Sequence, residues 1–173
     1  MPSAPLAYFL TWTTHGSWLH GDERGSIDRH TSGPTLLRRD DFLARFERRE
    51  MGAMYVPEID PTMRTAIERA VAEVCQVRGW TLIALNVRTT HIHAVVSAPG
   101  TAPERVLNDF KTWSTRSPRS LGLVGVRTKL WTRHGSTRYL WREEDVLRVR
   151  DYVLYHQGTE LPGTAFDPPD IDS

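Results

Sequence analysis

The chain carries one cysteine in 173 residues, has no apolar run near the eighteen or so residues of a membrane span, and has a formal net charge of only +1. Cys75 has no partner for an internal disulfide. Its place among Val71, Val74 and Val77 in a helical pattern marks it as a small core hydrophobe, not a nucleophile. The opening Met1-Pro2-Ser3-Ala4-Pro5 lacks the basic start and apolar stretch of a signal peptide, so a cytoplasmic protein with no membrane partner is expected. What is present is ordinary for a globular domain, with 39% hydrophobic and 25% charged residues and enough length to bury a core.

The small net charge hides an uneven distribution. From Glu104 to Arg150 there are eleven Lys/Arg and five Asp/Glu, a local balance of +6, whereas the end of the chain carries Glu160, Asp167, Asp170 and Asp172. A basic second half suits a phosphate backbone, and a solvated mixed surface explains it equally well. Residues 1–158 read as one domain with an irregular insertion at about 17–58, followed by an acidic, flexible tail over 159–173.

Tyr8 to Thr14, rich in aromatic and β-branched residues, predicts a first strand ending at His15-Gly16. Within the insertion, Asp40 to Glu50 has a charged helical pattern. Asp60-Pro61 supplies an N-cap and a first-turn proline for a helix carrying Met63, Ile67, Ala70, Val71, Val74 and Val77 at helical spacing until Gly79. Trp80 to Val87 and His91 to Ala98 read as an antiparallel hairpin. A second helix begins near Ala102, carries Val106, Leu107, Phe110 and Trp113, and is expected to stop at Pro118. At least one strand lies around Leu130 to Trp141, and Glu143-Glu144-Asp145 opens a last helix running to Gly158. This order gives an α+β fold, the ferredoxin-like split βαββαβ antiparallel sheet with an additional C-terminal helix.

The chemistry is concentrated in Thr90-His91-Ile92-His93-Ala94-Val95-Val96. A strand turns successive side chains to opposite faces, so His91 and His93 project with Val95 while Ile92, Ala94 and Val96 enter a core. Seven histidines would produce about 0.28 His-x-His triplets by chance, so the pair alone says little. Its aliphatic centre, apolar flanks and closing Ala98-Pro99-Gly100 turn strengthen it. Two neutral imidazoles so placed can hold one divalent ion. About sixty residues later Asp151-Tyr152-Val153-Leu154-Tyr155-His156-Gln157 offers a tyrosine on a helix, and the combination suggests a nuclease.

The ordered set of opening strand, His91-Ile92-His93, the Trp131-to-Trp141 region and Tyr152-Val153 resembles the single-tyrosine HUH transposases of small insertion sequences and the REP-associated tyrosine transposases, over most of the chain. The resemblance implies a metal-dependent single-stranded DNA endonuclease and transesterase of transposition. Tyr152 would be the nucleophile, forming a 5′-phosphotyrosine intermediate from which strands are rejoined. His91 and His93 would ligate Mg²⁺ or Mn²⁺, a hard ion whose open water sites suit phosphate chemistry. Where that family adds a polar ligand one turn beyond the tyrosine, this chain has His156, then Gln157, and both are candidates. The partner implied is single-stranded DNA containing a hairpin, and both a monomer and a homodimer fit.

Arg127, Lys129, Arg133, His134, Arg138 and Arg142, interleaved with Trp131, Tyr139 and Trp141, have the composition of a single-strand contact surface, as cations meet phosphates and rings stack on bases. A core strand with inward aromatics and outward arginines accounts for the same residues. Arg105, Lys111 and Arg116 read as a solvated helix face. Two other functions fit the same residues: a domesticated, non-cleaving binder of structured single-stranded DNA or RNA, and a ferredoxin-like regulatory domain with structural histidines.

Overall fold

The structure is a computed structural model that describes residues 4–15, 26–28, 35–37 and 58–171. Four strands form one antiparallel sheet: β1 (Ala7–Thr13), β4 (Thr81–Val87), β5 (His91–Ser97) and β6 (Ser136–Leu140), in the order β4-β5-β1-β6. Helix α1 (Pro61–Arg78) crosses from β1 to β4 and α2 (Pro103–Ser120) from β5 to β6, while α3 (Glu143–Tyr155) follows. This is the expected split βαββαβ plan: β1 and β4 run parallel with β5 between them. Two short strands that the sequence did not reveal, β2 (Ser26–Asp28) and β3 (Thr35–Leu37), pair antiparallel within the insertion. The charged stretch Asp40 to Glu50 lies outside the described residues.

Helix α1 forms where its punctuation demands. The Asp60 carboxylate accepts from the Met63 N–H at 2.8 Å, Pro61 occupies the first turn, and Gly79 closes the helix at φ 71°, a left-handed conformation that glycine adopts without steric cost. Helix α2 runs two residues past the stop expected at Pro118. A proline forfeits only the bond its own nitrogen would make, and the next ones can form: the Leu121 N–H donates to the Ser117 carbonyl at 3.2 Å while the Pro118 ring is buried. Helix α3 ends at Tyr155, short of Gly158, with His156 as its C-cap.

Strand alternation sorts the residues between two apolar layers. Tyr8, Leu10, Trp12, Leu82, Leu85, Ile92, Ala94 and Val96 meet α1 and α2, and Trp12 packs against Phe110 and Trp131. Trp131 is therefore a core residue and not a base-stacking ring: it bridges to Thr14 and is 6% exposed. On the other face Ala7, Ile83, Ala84, Val95 and Leu140 receive Val146, Val149 and Val153 of α3. A register shift between Leu82 and Ala84 inserts Ile83 as an extra residue, so Ile83 and Ala84 both lie on the α3 face, Asn86 follows them there, and Leu85 returns to the larger core.

Two tethers complete the frame. Lys111, read from sequence as part of a solvated helix face, instead extends its ammonium to the carbonyls of Thr132, Arg133 and His134 at 2.9 to 3.3 Å, holding the segment that leads into β6. Gly135 follows there because a Cβ would stand 2.6 Å from the Thr11 carbonyl oxygen. After α3, the chain is laid back along α1. Buried Arg64 donates to the carbonyls of Val87, Ile59 and Pro162, and buried Glu68 accepts from the Ala165 and Phe166 N–H groups. The stretch expected to be a flexible acidic tail makes these contacts through its backbone, with Phe166 packed on the larger core.

Candidate active site

Pairing registers lay out the α3 face of the sheet row by row. Asn86, His93, Thr11 and Ser136 form one row across all four strands, and His91 and Thr13 extend the face at one end. On the other side the next row is Ala84, Val95, Phe9 and Arg138. The first row is polar and the second, apart from exposed Arg138 at its β6 end, is apolar, and α3 buries its valines on that apolar part. The polar row is thereby left beside the C-terminal turn of α3, where Tyr152 stands.

His91 and His93 come side by side as strand geometry requires, with ring centroids 4.9 Å apart. His93 is 8% exposed and lies stacked against Phe9 at 5.7 Å. Tyr152 meets both rings edge-on, 6.3 Å from His93 and 6.3 Å from Phe9, while 46% of the tyrosine remains exposed. Tyr155 is 68% exposed. Of two tyrosines three apart on one helix, Tyr152 is the one brought to the pair.

Electrostatics keep His93 neutral. Burial, then the neighbouring His91 and Arg88, push its imidazole down to about 3, so at physiological pH it has a lone pair to offer. Thr11 Oγ1 lies 2.9 Å from His93 Nδ1. Asn86 Nδ2 donates to the Val153 carbonyl at 2.8 Å, fastening the end of α3 beside that row. Thr11 and Asn86 escaped the sequence reading because each is an ordinary strand residue until the register sets it beside His93. His15 continues the same alternation of β1 past Thr13, and burial with the charge of Lys129 lowers its pKa. Burial raises the Cys75 thiol to about 12, in keeping with an unreactive core residue.

Of the expected third ligands, His156 closes the last turn of α3, its N–H donating to the Tyr152 carbonyl at 3.1 Å, and Gln157 follows past the helix end. His156 is exposed at the C-cap, with φ −116° and ψ 20°. Gln157 lies beyond it, its amide nitrogen buried and without a hydrogen-bond partner. The chain then passes Arg88, whose guanidinium donates to the Thr159 carbonyl at 2.8 Å and borders Gly158. Since Arg88 accompanies His91 at the hairpin turn, its N–H bonded to the His91 carbonyl, Gln157 is carried toward the histidine end of the sheet. Among the described residues no group of three or more His, Cys, Asp or Glu could hold a metal ion.

The basic and aromatic residues do not form one surface. Arg138 pairs with Phe9 in the row beside His93, on the histidine face. Tyr139 turns to the opposite face, edge-on to Tyr8 and stacked with Trp141 at 6.0 Å. Arg127, Lys129, Arg133 and His134 are exposed in the connection before β6, and exposed Arg142 caps α3 and pairs with Glu144.

Fold and site together define a class: a ferredoxin-like domain whose open sheet face presents a histidine pair to a tyrosine on a following helix. The chain belongs to the IS200-like transposase family, whose model matches residues 57–145, just over half of it. The match includes the histidine hairpin and ends before Tyr152. Among solved structures, the chain is similar to a REP-associated tyrosine transposase bound to a REP hairpin, with TM-score 0.47, 14% identity, and coverage of 87% of this chain. It spans 65% of that protein's length. It is also similar to a provisionally assigned transposase from Deinococcus radiodurans R1, with TM-score 0.46, 15% identity, and coverage of 88% and 91% of the two chains. No curated protein matches significantly. Among the described residues no helix is long and apolar enough to cross a membrane.

Proposed function

We propose that this transposase-family protein cuts and rejoins single-stranded DNA with Tyr152 as nucleophile. The observation that carries the reading is the tyrosine ring standing 6.3 Å from His93 beside a polar row of the sheet. The Tyr152 oxygen attacks the scissile phosphorus, the bond to the 3′ oxygen breaks, and the phosphate remains as a 5′-linked tyrosyl ester beside a free 3′ hydroxyl. Attack by a 3′ hydroxyl on that ester reverses the step and joins strands without ATP. Tyr152 is half open to solvent, which can take its proton.

The donor set fits a divalent ion, Mg²⁺ or Mn²⁺, held by His91 and His93 with water and phosphate oxygens completing its shell. Gln157 is the candidate for a further ligand: its buried amide lacks a partner, and turning it by 180° exchanges nitrogen for a carbonyl oxygen. His156, exposed at the helix end, is the weaker candidate. Bound there, the ion would polarise a non-bridging phosphate oxygen. Arg138 on the same face would meet the strand's phosphates, with Arg127, Lys129, Arg133, His134 and Arg142 as flanking contacts and Tyr139 as a base platform on the other face. The partner proposed is hairpin-containing single-stranded DNA. Because α3 is packed on its own sheet, the tyrosine would serve its own histidine pair, and a homodimer is not required.

The test is incubation of labelled single-stranded DNA, bearing the hairpins that flank the gene, with wild type and Tyr152→Phe in Mn²⁺ or EDTA. A metal-dependent protein-DNA adduct on a denaturing gel that vanishes in the variant is expected, with Tyr155→Phe retaining it. Tight binding with no adduct in the wild type would instead identify a non-cleaving nucleic-acid binder.

A further inference from the structure

The row that holds His93 contains a hydroxyl with no other work to do. Thr11, on the neighbouring strand, is 6% exposed, and its Oγ1 lies 2.9 Å from His93 Nδ1 in a buried contact. Among the described residues His93 Nε2 has no hydrogen-bond partner, yet it is not among the polar atoms sealed from solvent. The ring therefore has one nitrogen closed off against β1 and one facing outward. Phe9, stacked 5.7 Å away at 26°, fixes the plane of the ring but cannot choose its proton.

We propose that Thr11 is a positioning residue that selects the tautomer of His93: its hydroxyl oxygen accepts from Nδ1–H, which leaves the lone pair on outward-facing Nε2. The inference rests on His93 as a metal ligand. An imidazole ligates through its unprotonated nitrogen, Nε2 is the nitrogen open to an ion, and the single proton of the neutral ring must then sit on Nδ1. With an N–H held by a protein oxygen, the ring is both oriented and made a better donor. Were Thr11 to donate instead, Nε2 would carry hydrogen and the outward nitrogen could bind no cation. A valine at this position keeps the shape and removes the oxygen, while a serine keeps the oxygen.

Two measurements on the full chain test this. In the metal-free protein, long-range ¹H–¹⁵N correlation of the imidazoles is expected to report Nδ1–H for His93, and Thr11→Val to abolish that preference. Titration with Mn²⁺, followed by the electron paramagnetic resonance of the free ion, is expected to show about tenfold weaker binding in Thr11→Val. Thr11→Ser should restore binding. An Nε2–H tautomer in the wild type, or unchanged Mn²⁺ affinity in Thr11→Val beside a clear loss in His93→Ala, overturns the role of Thr11 alone. Equal Mn²⁺ binding by wild type and His93→Ala overturns the ligand reading and this inference with it.

Discussion

Asn86 Nδ2 donates to the Val153 carbonyl at 2.8 Å, tying the strand beside His93 to the residue that follows Tyr152. That carbonyl lies in the last turn of α3, where the helix has no N–H left to offer it. Replacing Asn86 with alanine should cost about 1 kcal/mol of stability in urea unfolding, the usual worth of one hydrogen bond. The adduct-forming rate should fall by more than that stability loss can explain, while DNA affinity is kept. An unchanged rate in a folded Asn86→Ala protein would sink the positioning role of this bond.

Stability should depend on pH through His93. Its folded pKa, about 3, lies below the ordinary value of 6.5, so between those limits the unfolded chain binds a proton that the native protein refuses. Native stability from this group is thus full above pH 6.5 and is lost as pH falls toward 3, by up to about 1.4 kcal/mol per pH unit. Urea unfolding at pH 7, 6 and 5 is expected to show a steeper decline in wild type than in His93→Gln. Parallel curves would contradict the buried, neutral state.

Arg138 and Arg127 offer a contrast in DNA binding. Arg138 occupies the row beside His93, whereas Arg127 is exposed in the connection before β6. If the strand runs over the polar patch, Arg138→Ala should weaken binding several-fold and reduce the salt slope of log K by about 0.7, the share of one phosphate contact on a single strand. Arg127→Ala should do less. The reverse ranking would move the binding path off the histidine face.

The segment after α3 should depend on two buried charges. Arg64→Met leaves the buried Val87 and Ile59 carbonyls and the part-buried Pro162 carbonyl without their donor and is expected to cost about 3 kcal/mol. Glu68→Ala should specifically speed hydrogen exchange at the Ala165 and Phe166 amides, which the carboxylate now holds. Protection retained at both amides would show that Phe166 packing alone keeps the segment in place.

Local rules were enough for much of the site. The two-residue period of a strand put His91 and His93 on one face, and Ile92, Ala94 and Val96 in the core. Asp60, Pro61 and Gly79 bounded α1 because caps act within a few residues of themselves. The Tyr152-Val153 pair was marked by the family resemblance and not by a local rule, and the Tyr152 ring stands 6.3 Å from His93. Local composition misled at Trp131, where a ring among arginines went into the core, and at Lys111, whose charge found three carbonyls 21 to 23 residues away.

What the chain determined by itself was therefore the strand faces, the capped α1 helix, the order of elements and the two histidines that turn the same way. The tertiary structure alone decided that Thr11 and Asn86 flank His93, that Arg138 and Tyr139 part to opposite faces, and that α3 stops at Tyr155 and leaves His156 and Gln157 outside the helix. The physical reason is that periodicity and capping are written within one element, whereas register between distant strands is chosen by burying the apolar faces of all of them at once.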